Sequence, residues 1–407
     1  MNRYRGQTVS VTGANGFIAG RLVERLLLEE GAHVRVLMRN WTNAAWIARL
    51  NPEFLEGDVT DPTSLNLAVD GADCVFHCAS GGDTYDGYMR TNVQGTDNVI
   101  SACLKCGVRQ MVYLSSITVH GSRLPNIVDE NTPMVRTGRG YSDSKVAAEE
   151  LIQKRVKDEN VPVAVIRPTF VWGPRANQFT TGPLLNIKAG TQRLIDGGIH
   201  ECPAVYIDNL VDLILLAGLK PEAKGQIFPA TDGHAYSWSD FISSYAKIVG
   251  QPKPQPLSSR SPATRLASMG VERLGELLER YAGSPAPIWK KVIRRSARVV
   301  RSALMNRGIP DPWYLNLYSS RSHVSIENAQ RRLGYEPRFD LKQGMAATEE
   351  WVLDQLGVRL GLTDAFGEPH RRPAFSHGAI ETKHRHEAGS AAIIRQAAPT
   401  LAEQLTL

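Results

Sequence analysis

The sequence predicts an α/β protein, a doubly wound parallel sheet with a smaller C-terminal α/β domain. Three observations predict it. Strand-like apolar runs alternate with helical patterns through the first two hundred residues. The first run ends in a glycine-rich turn that opens an amphipathic helix. An apolar content of 42% with 22% charged residues is that of a globular chain and excludes global disorder or a fibrous repeat.

Taken in order, the strand-like runs fall at 8–12, 33–38, 74–79, 110–115 and 161–167, and the helical patterns at 18–30, 62–69, 89–106 and 142–159. Strands separated by helices pair in parallel through right-handed crossovers. The length of 407 residues allows two or three domains, at about 100–200 residues each. The first, dinucleotide-binding domain is expected over 1–170 with a returning segment at 204–230. The second is expected from 171–203 and 231–360, with Pro252, Pro254 and Pro256 marking an extended connector. Beyond Leu362 the pattern dissolves, and 363–407 reads as a disordered tail; its histidines 370, 377, 384 and 386 make a metal site conceivable but a solvated terminus the simpler reading.

No apolar run reaches the roughly 18 residues that span a bilayer. The longest, 210–219, contains Asp212, and the N-terminus passes directly into a strand pattern without a signal sequence, so a cytoplasmic location is expected. Five cysteines are no disulfide framework. Cys103 and Cys106 have C-x-x-C spacing but no second Cys/His pair nearby, which favours packed thiols over a redox or zinc site.

The first turn reads Thr12-Gly13-Ala14-Asn15-Gly16-Phe17-Ile18-Ala19-Gly20. Gly13 and Gly16 allow a tight turn and the close approach of a pyrophosphate to N–H groups at the start of the next helix, the Rossmann arrangement. At the end of the second strand, where a carboxylate would bind a ribose 2′-hydroxyl and an arginine a 2′-phosphate, stands Arg39. NADP is therefore favoured over NAD. Asp58 and the Val59 backbone follow the third strand-like segment, positioned to flank the adenine.

Tyr141 and Lys145 form Y-x-x-x-K at the start of a helix, which sets both on one face. A nearby ammonium favours the phenolate and brings a tyrosine closer to working pH. Ser115 and Ser116 follow an apolar strand, at the end that faces the ligand crevice of an open sheet.

Together these motifs resemble the extended branch of the short-chain dehydrogenase/reductase superfamily, the NAD-dependent epimerase/dehydratase family, over about residues 7–356. The resemblance rests on TGANGFIAG at 12–20, GDVTD at 57–61, FHCAS at 76–80, NVQGT at 92–96, LSSITVHG at 114–121, YSDSK at 141–145, RPTFVWGP at 167–174, VYIDNL at 205–210 and LGYEP at 333–337. It implies that Ser116 hydrogen-bonds the substrate oxygen, Tyr141 exchanges the proton, Lys145 holds the nicotinamide ribose and lowers the Tyr141 pKa, and Asn92 braces the site. It implies a cofactor surface that includes Gly13, Asn15, Gly16, Phe17, Ile18, Arg39, Asp58, Val59, Ala79 and Pro168 besides Tyr141 and Lys145. Ala19 for the third glycine, His120 where tyrosine is usual, and a short loop between Ala79 and Asn92 are the departures.

Ile117 and Thr118 stand where sugar dehydratases carry Asp-Glu, which argues against that branch, and Cys202 falls where nucleotide-sugar enzymes carry a diphosphate-gripping arginine. Arg175 or Arg193 could take that role. The pattern, including the C-terminal RSHVSIENAQRRLGYEP, is most similar to the 3β-hydroxysteroid dehydrogenase-like and sterol-4α-carboxylate dehydrogenase group. That similarity implies hydride transfer between a secondary alcohol and a ketone on a sterol- or terpenoid-like small molecule, the alternative being a nucleotide-sugar epimerase with tightly bound NAD. A homodimer through a four-helix interface is a further implication.

The net charge is +6, from 47 basic and 41 acidic residues. Residues 258–307 hold eleven Lys/Arg against three Glu, which leaves the remainder at −2. Within 288–304, Ile288, Trp289, Val292, Ile293, Val299 and Val300 recur at helical spacing among Lys290, Lys291, Arg294, Arg295, Arg298 and Arg301. A lid helix with a solvated basic face and peripheral contact with an anionic membrane both fit this pattern, whereas nucleic acid is not expected.

Overall fold

The computed structural model describes residues 2–39, 41, 44–280, 296, 299, 300, 303, 304 and 308–362. They lie in one compact unit. The expected tail and most of the basic 288–304 segment lie outside the described residues.

Seven parallel strands form the main sheet: β1 Thr8–Thr12, β2 His33–Met38, β3 Glu53–Glu56, β4 Cys74–His77, β5 Gln110–Leu114, β6 Val163–Pro168 and β7 Ile227–Ala230. Their order is β7-β6-β5-β4-β1-β2-β3, so the winding direction reverses between β1 and β4. In such sheets the ligand crevice opens at the carboxyl ends of the strands at that reversal.

The central strands are buried on both faces, as a parallel sheet covered by helices requires. Alternate residues divide between two cores. Val9, Val11, Phe76, Val112 and Ile166 join one cluster, which includes helix α1 (Phe17–Leu28). Val75, Met111, Tyr113, Val163 and Val165 join the other, beneath α2 (Pro62–Val69) and α3 (Gly95–Lys105). A burial of this kind contributes about 25 cal/mol per Å² of apolar surface. The catalytic-motif helix α4 spans Gly140–Glu159, and α5 spans Ile207–Leu219.

Two features were not expected. The helix placed at 89–106 begins at Tyr85 and passes through a π-helical stretch, Arg90–Gln94, before α3. The sheet also gains β7, whose Pro229 is tolerated because this strand pairs only with β6 at the edge.

Three short parallel pairs lie outside the sheet: 170–172 with 204–206, 194–195 with 256–257, and 127–128 with 323–324. Buried polar groups fasten the later segments. Asn209 donates to Asp232 and to the Phe339 carbonyl and accepts from the Phe339 N–H at 2.8, 2.8 and 3.0 Å. Arg25 in α1 reaches both Asp208 and Asp212 of α5, and Arg338 pairs with Asp212 at 2.6 Å.

Candidate active site

The turn after β1 shows why Gly13 stands there. Its φ is +73°, and a Cβ would lie 2.7 Å from the Ala79 Cα, so the loop after β4 closes directly on it. Only glycine accepts both constraints without strain. The chain then enters α1 at Gly16 with no side-chain cap and no acidic residue in the first turn. The first N–H groups of α1 are thus left to an external acceptor, and the helix dipole favours a negative one. Asn15 flanks this turn, and Phe17 and Ile18 form the first helical residues. Ala19 packs as the third small residue, but the closest approach falls at Gly20, where a Cβ would collide with the Trp46 ring.

Arg39 follows β2 with its side chain 60% exposed, and its Nε lies 3.8 Å from the Asp58 carboxylate. Asp58 also accepts from the Thr60 N–H and hydroxyl at 2.8 Å each. Val59 is buried against Gly95, which leaves its backbone as the part available to a ligand. Pro168 closes β6 in register with Ala230.

The loop after β4 is braced from the π-helical stretch. Asn92, 1% exposed, accepts from the Gly81 N–H at 3.1 Å and donates to Ser144 at 2.8 Å, and Ser144 donates to the Tyr141 carbonyl at 2.8 Å. Asn92 thereby ties the Ala79–Gly81 stretch to the first turn of α4. Ala79 itself donates to the Thr12 hydroxyl. His77 is clamped between Thr12 and Thr96, and burial pushes its pKa down to about 3, so it is neutral here.

Lys145 follows Tyr141 by one turn of α4, with its Nζ 6.0 Å from the Tyr141 ring. Lys145, 2% exposed, donates to the Leu114 carbonyl at 2.7 Å and lies 4.8 Å from the Tyr113 ring. Its pKa falls to about 8 through burial, opposed by Cys78 and Glu149. Ser116 accepts from the Thr118 N–H at 3.2 Å and from the Thr118 hydroxyl at 3.1 Å, and it acts on the Tyr141 phenol to lower its pKa. Tyr141 is 37% exposed. The expected lowering of its pKa by Lys145 is not what this arrangement gives. Burial raises the phenol more than the Ser116 hydrogen bond lowers it, and the Lys145 ammonium is turned to the Leu114 carbonyl.

Sequence reasoning missed what lies beneath. Glu149, one turn past Lys145, accepts from Ser115 at 2.5 Å and from Arg167 at 2.7 Å, with both charges fully buried. Arg167 also reaches His120 and the Glu130 carbonyl. His120, the residue where tyrosine is usual, sits below its ordinary pKa through burial. The Arg167 of RPTFVWGP was the available signal.

Arg175 stacks on Trp46 beside α1, at 4.3 Å, and Arg193 donates to the Gly190 and Gln192 carbonyls. Cys202 is buried, and burial raises its thiol pKa. Cys103 is likewise pushed up to about 12. Among the described residues, no group of three or more His, Cys, Asp or Glu could hold a metal ion, and no helix is long and apolar enough to cross a membrane.

Residues 10–258 match the 3-beta hydroxysteroid dehydrogenase/isomerase family. The chain belongs to that family, within the extended short-chain dehydrogenase/reductases, and is an NAD(P)-dependent oxidoreductase. It is 27% identical to a 2-alkyl-3-oxoalkanoate reductase of Stenotrophomonas maltophilia, over 83% of this chain and 97% of that one. It is 29% identical to a 3 beta-hydroxysteroid dehydrogenase/Delta 5-->4-isomerase of Mycobacterium tuberculosis, over 83% and 88%. A dTDP-glucose 4,6-dehydratase from Bacillus anthracis, solved in complex with NAD, shares the fold with a TM-score of 0.63 at 17% identity, covering 86% of this chain and 97% of that one.

Proposed function

We propose that the chain interconverts a secondary alcohol and a ketone on a hydrophobic sterol- or terpenoid-like molecule with NADP, through Ser116, Tyr141, Lys145 and Asn92. The observation that carries this reading is the partly exposed Tyr141 side chain beside Ser116, with the Lys145 ammonium one turn behind it and 6.0 Å from the ring. Two relatives named for 3-oxoalkanoates and 3β-hydroxysteroids support an apolar substrate, as does Cys202 at the diphosphate-gripping position.

The residues present fit a dinucleotide. Gly13 lets the turn after β1 close on Ala79, the bare start of α1 would take its pyrophosphate, and Lys145 would hold its ribose. When bound, it supplies or accepts the hydride. Tyr141 gives its proton to the carbonyl oxygen in reduction and takes it back in oxidation, and Ser116 donates a hydrogen bond to that same oxygen. Asn92 keeps the Gly81 loop and the α4 turn in register around them.

Arg39 would pair with a 2′-phosphate. Hydrogen bonds to charged groups contribute about 1.5–3 kcal/mol. Arg39→Ser should therefore lower NADPH affinity roughly ten- to a hundred-fold and leave NADH affinity unchanged, measured by titration of nucleotide fluorescence. Equal losses for both nucleotides would remove Arg39 from the cofactor site. The second reading, a nucleotide-sugar epimerase that keeps NAD, draws on Asp58, whose carboxylate beside Arg39 suits a free 2′-hydroxyl.

The proposal also takes in the division into a dinucleotide domain (1–170 and 204–230) and a substrate domain (171–203 and 231–360). It includes a homodimer and peripheral membrane contact through 288–304.

A further inference from the structure

In the proposed reaction the Ser116 hydroxyl donates to the substrate oxygen, and the structure shows that hydroxyl already engaged on its other side. A hydroxyl has two lone pairs and one proton. Two donors on a single residue meet the Ser116 lone pairs: the Thr118 N–H at 3.2 Å and the Thr118 hydroxyl at 3.1 Å. With both acceptor positions taken, the proton is the one hydrogen-bonding capacity that Ser116 has left to offer.

The turn that carries the two residues is held from several directions. Ser116 caps the 3₁₀ turn Ile117–His120. Its carbonyl accepts from the Val119 N–H, the Thr118 carbonyl from Gly121, and the Val119 carbonyl from Val135. Ile117 is buried with Val128 and Val324, Ser115 donates to Glu149, and His120 donates to the Pro133 carbonyl. Thr118 is β-branched, so its χ1 is stiff and its oxygen stays beside Ser116. What is free to turn is the direction of the two hydroxyl protons.

We infer that Thr118 is a positioning residue: its N–H and hydroxyl fill the acceptor side of Ser116 and so commit the Ser116 proton to the substrate oxygen. The inference rests on the alcohol–ketone reading for what that oxygen is. In ketone reduction the oxygen gains negative charge, and a donor aimed at it beforehand needs no reorganisation as the charge develops. A hydroxyl that accepts hydrogen bonds is also polarised by them and donates more strongly.

Neutron diffraction from deuterium-exchanged crystals of the full chain locates the two deuterons. The Thr118 deuteron should point at Ser116 and the Ser116 deuteron away from Thr118; a Ser116 deuteron directed at the Thr118 oxygen would overturn the inference. Kinetics with NADPH and trans-1-decalone, a bicyclic apolar ketone, test the consequence. Thr118→Val keeps the N–H and the side-chain shape but loses the hydroxyl. It should lower kcat about three- to tenfold with KM nearly unchanged, the effect of one net hydrogen bond made in the transition state. Thr118→Ser should restore most of that loss. Ser116→Ala should lower kcat by about 10²–10³-fold, the effect of removing one donor to a developing oxyanion. Adding Thr118→Val to Ser116→Ala should then change kcat by less than about twofold, because the group through which Thr118 acts is gone. The full three- to tenfold loss in that background would give Thr118 a role independent of Ser116 and overturn the inference. Unchanged turnover in Ser116→Ala, or none of trans-1-decalone by the unchanged protein, would count against the alcohol–ketone reading alone, and the deuteron positions decide the inference in either case.

Discussion

Tyr141→Phe should bind nicotinamide nucleotide as the unchanged protein does, while turnover of alcohol or ketone falls by about 10²–10⁴-fold, the contribution of a positioned acid/base. The phenyl ring keeps the packing against Tyr88, whose centroid lies 6.1 Å away, so the fold has no reason to change. The pH dependence follows from the direction of the phenol's shift. Its pKa is raised, so the proton needed for ketone reduction is present throughout neutral pH. The kcat/KM for reduction should be flat there and fall only in the alkaline range. Alcohol oxidation needs the phenolate and should rise with pH over the same interval. Steady-state rates across pH in both directions check this, and unchanged turnover in the variant would remove Tyr141 from the chemistry.

Glu149→Ala has the largest effect expected on stability. The substitution leaves the Arg167 guanidinium, 1% exposed, without its bidentate partner and Ser115 without its acceptor. Breaking a buried pair by removing one member costs about 3–5 kcal/mol, because the remaining charge is desolvated and uncompensated. His120 gives no relief, since burial favours its neutral form. Urea unfolding should show the midpoint fall with little change in slope. Replacing both charges, Glu149→Leu with Arg167→Met, should recover much of the loss. A loss below about 1 kcal/mol in Glu149→Ala would mean that water or another group reaches Arg167.

The sheet was legible because its central strands bury both faces and so read as continuous apolar runs. Gly13 was legible as a turn residue because few residue types accept a φ of +73° together with the contact on Ala79. The strand at 227–230 escaped notice because four residues with Pro229 carry no β signal apart from an edge partner. The π-helical stretch at Arg90–Gln94 has no sequence pattern of its own, although it helps set Asn92 against Gly81.

The buried Glu149–Arg167 pair went unread for another reason. Charged residues in a sequence read as solvated surface, and only the contact of α4 with the end of β6 encloses these two.

The central claim is an oxidoreductase that takes up and releases its nicotinamide nucleotide at every turnover. Denaturing the freshly purified protein and identifying the nucleotide set free tests it most directly. The freshly purified protein should release no nucleotide and should then consume NADPH in preference to NADH when a hydrophobic ketone is supplied. Stoichiometric bound NAD with no net consumption of nucleotide would contradict it and leave the epimerase reading in its place.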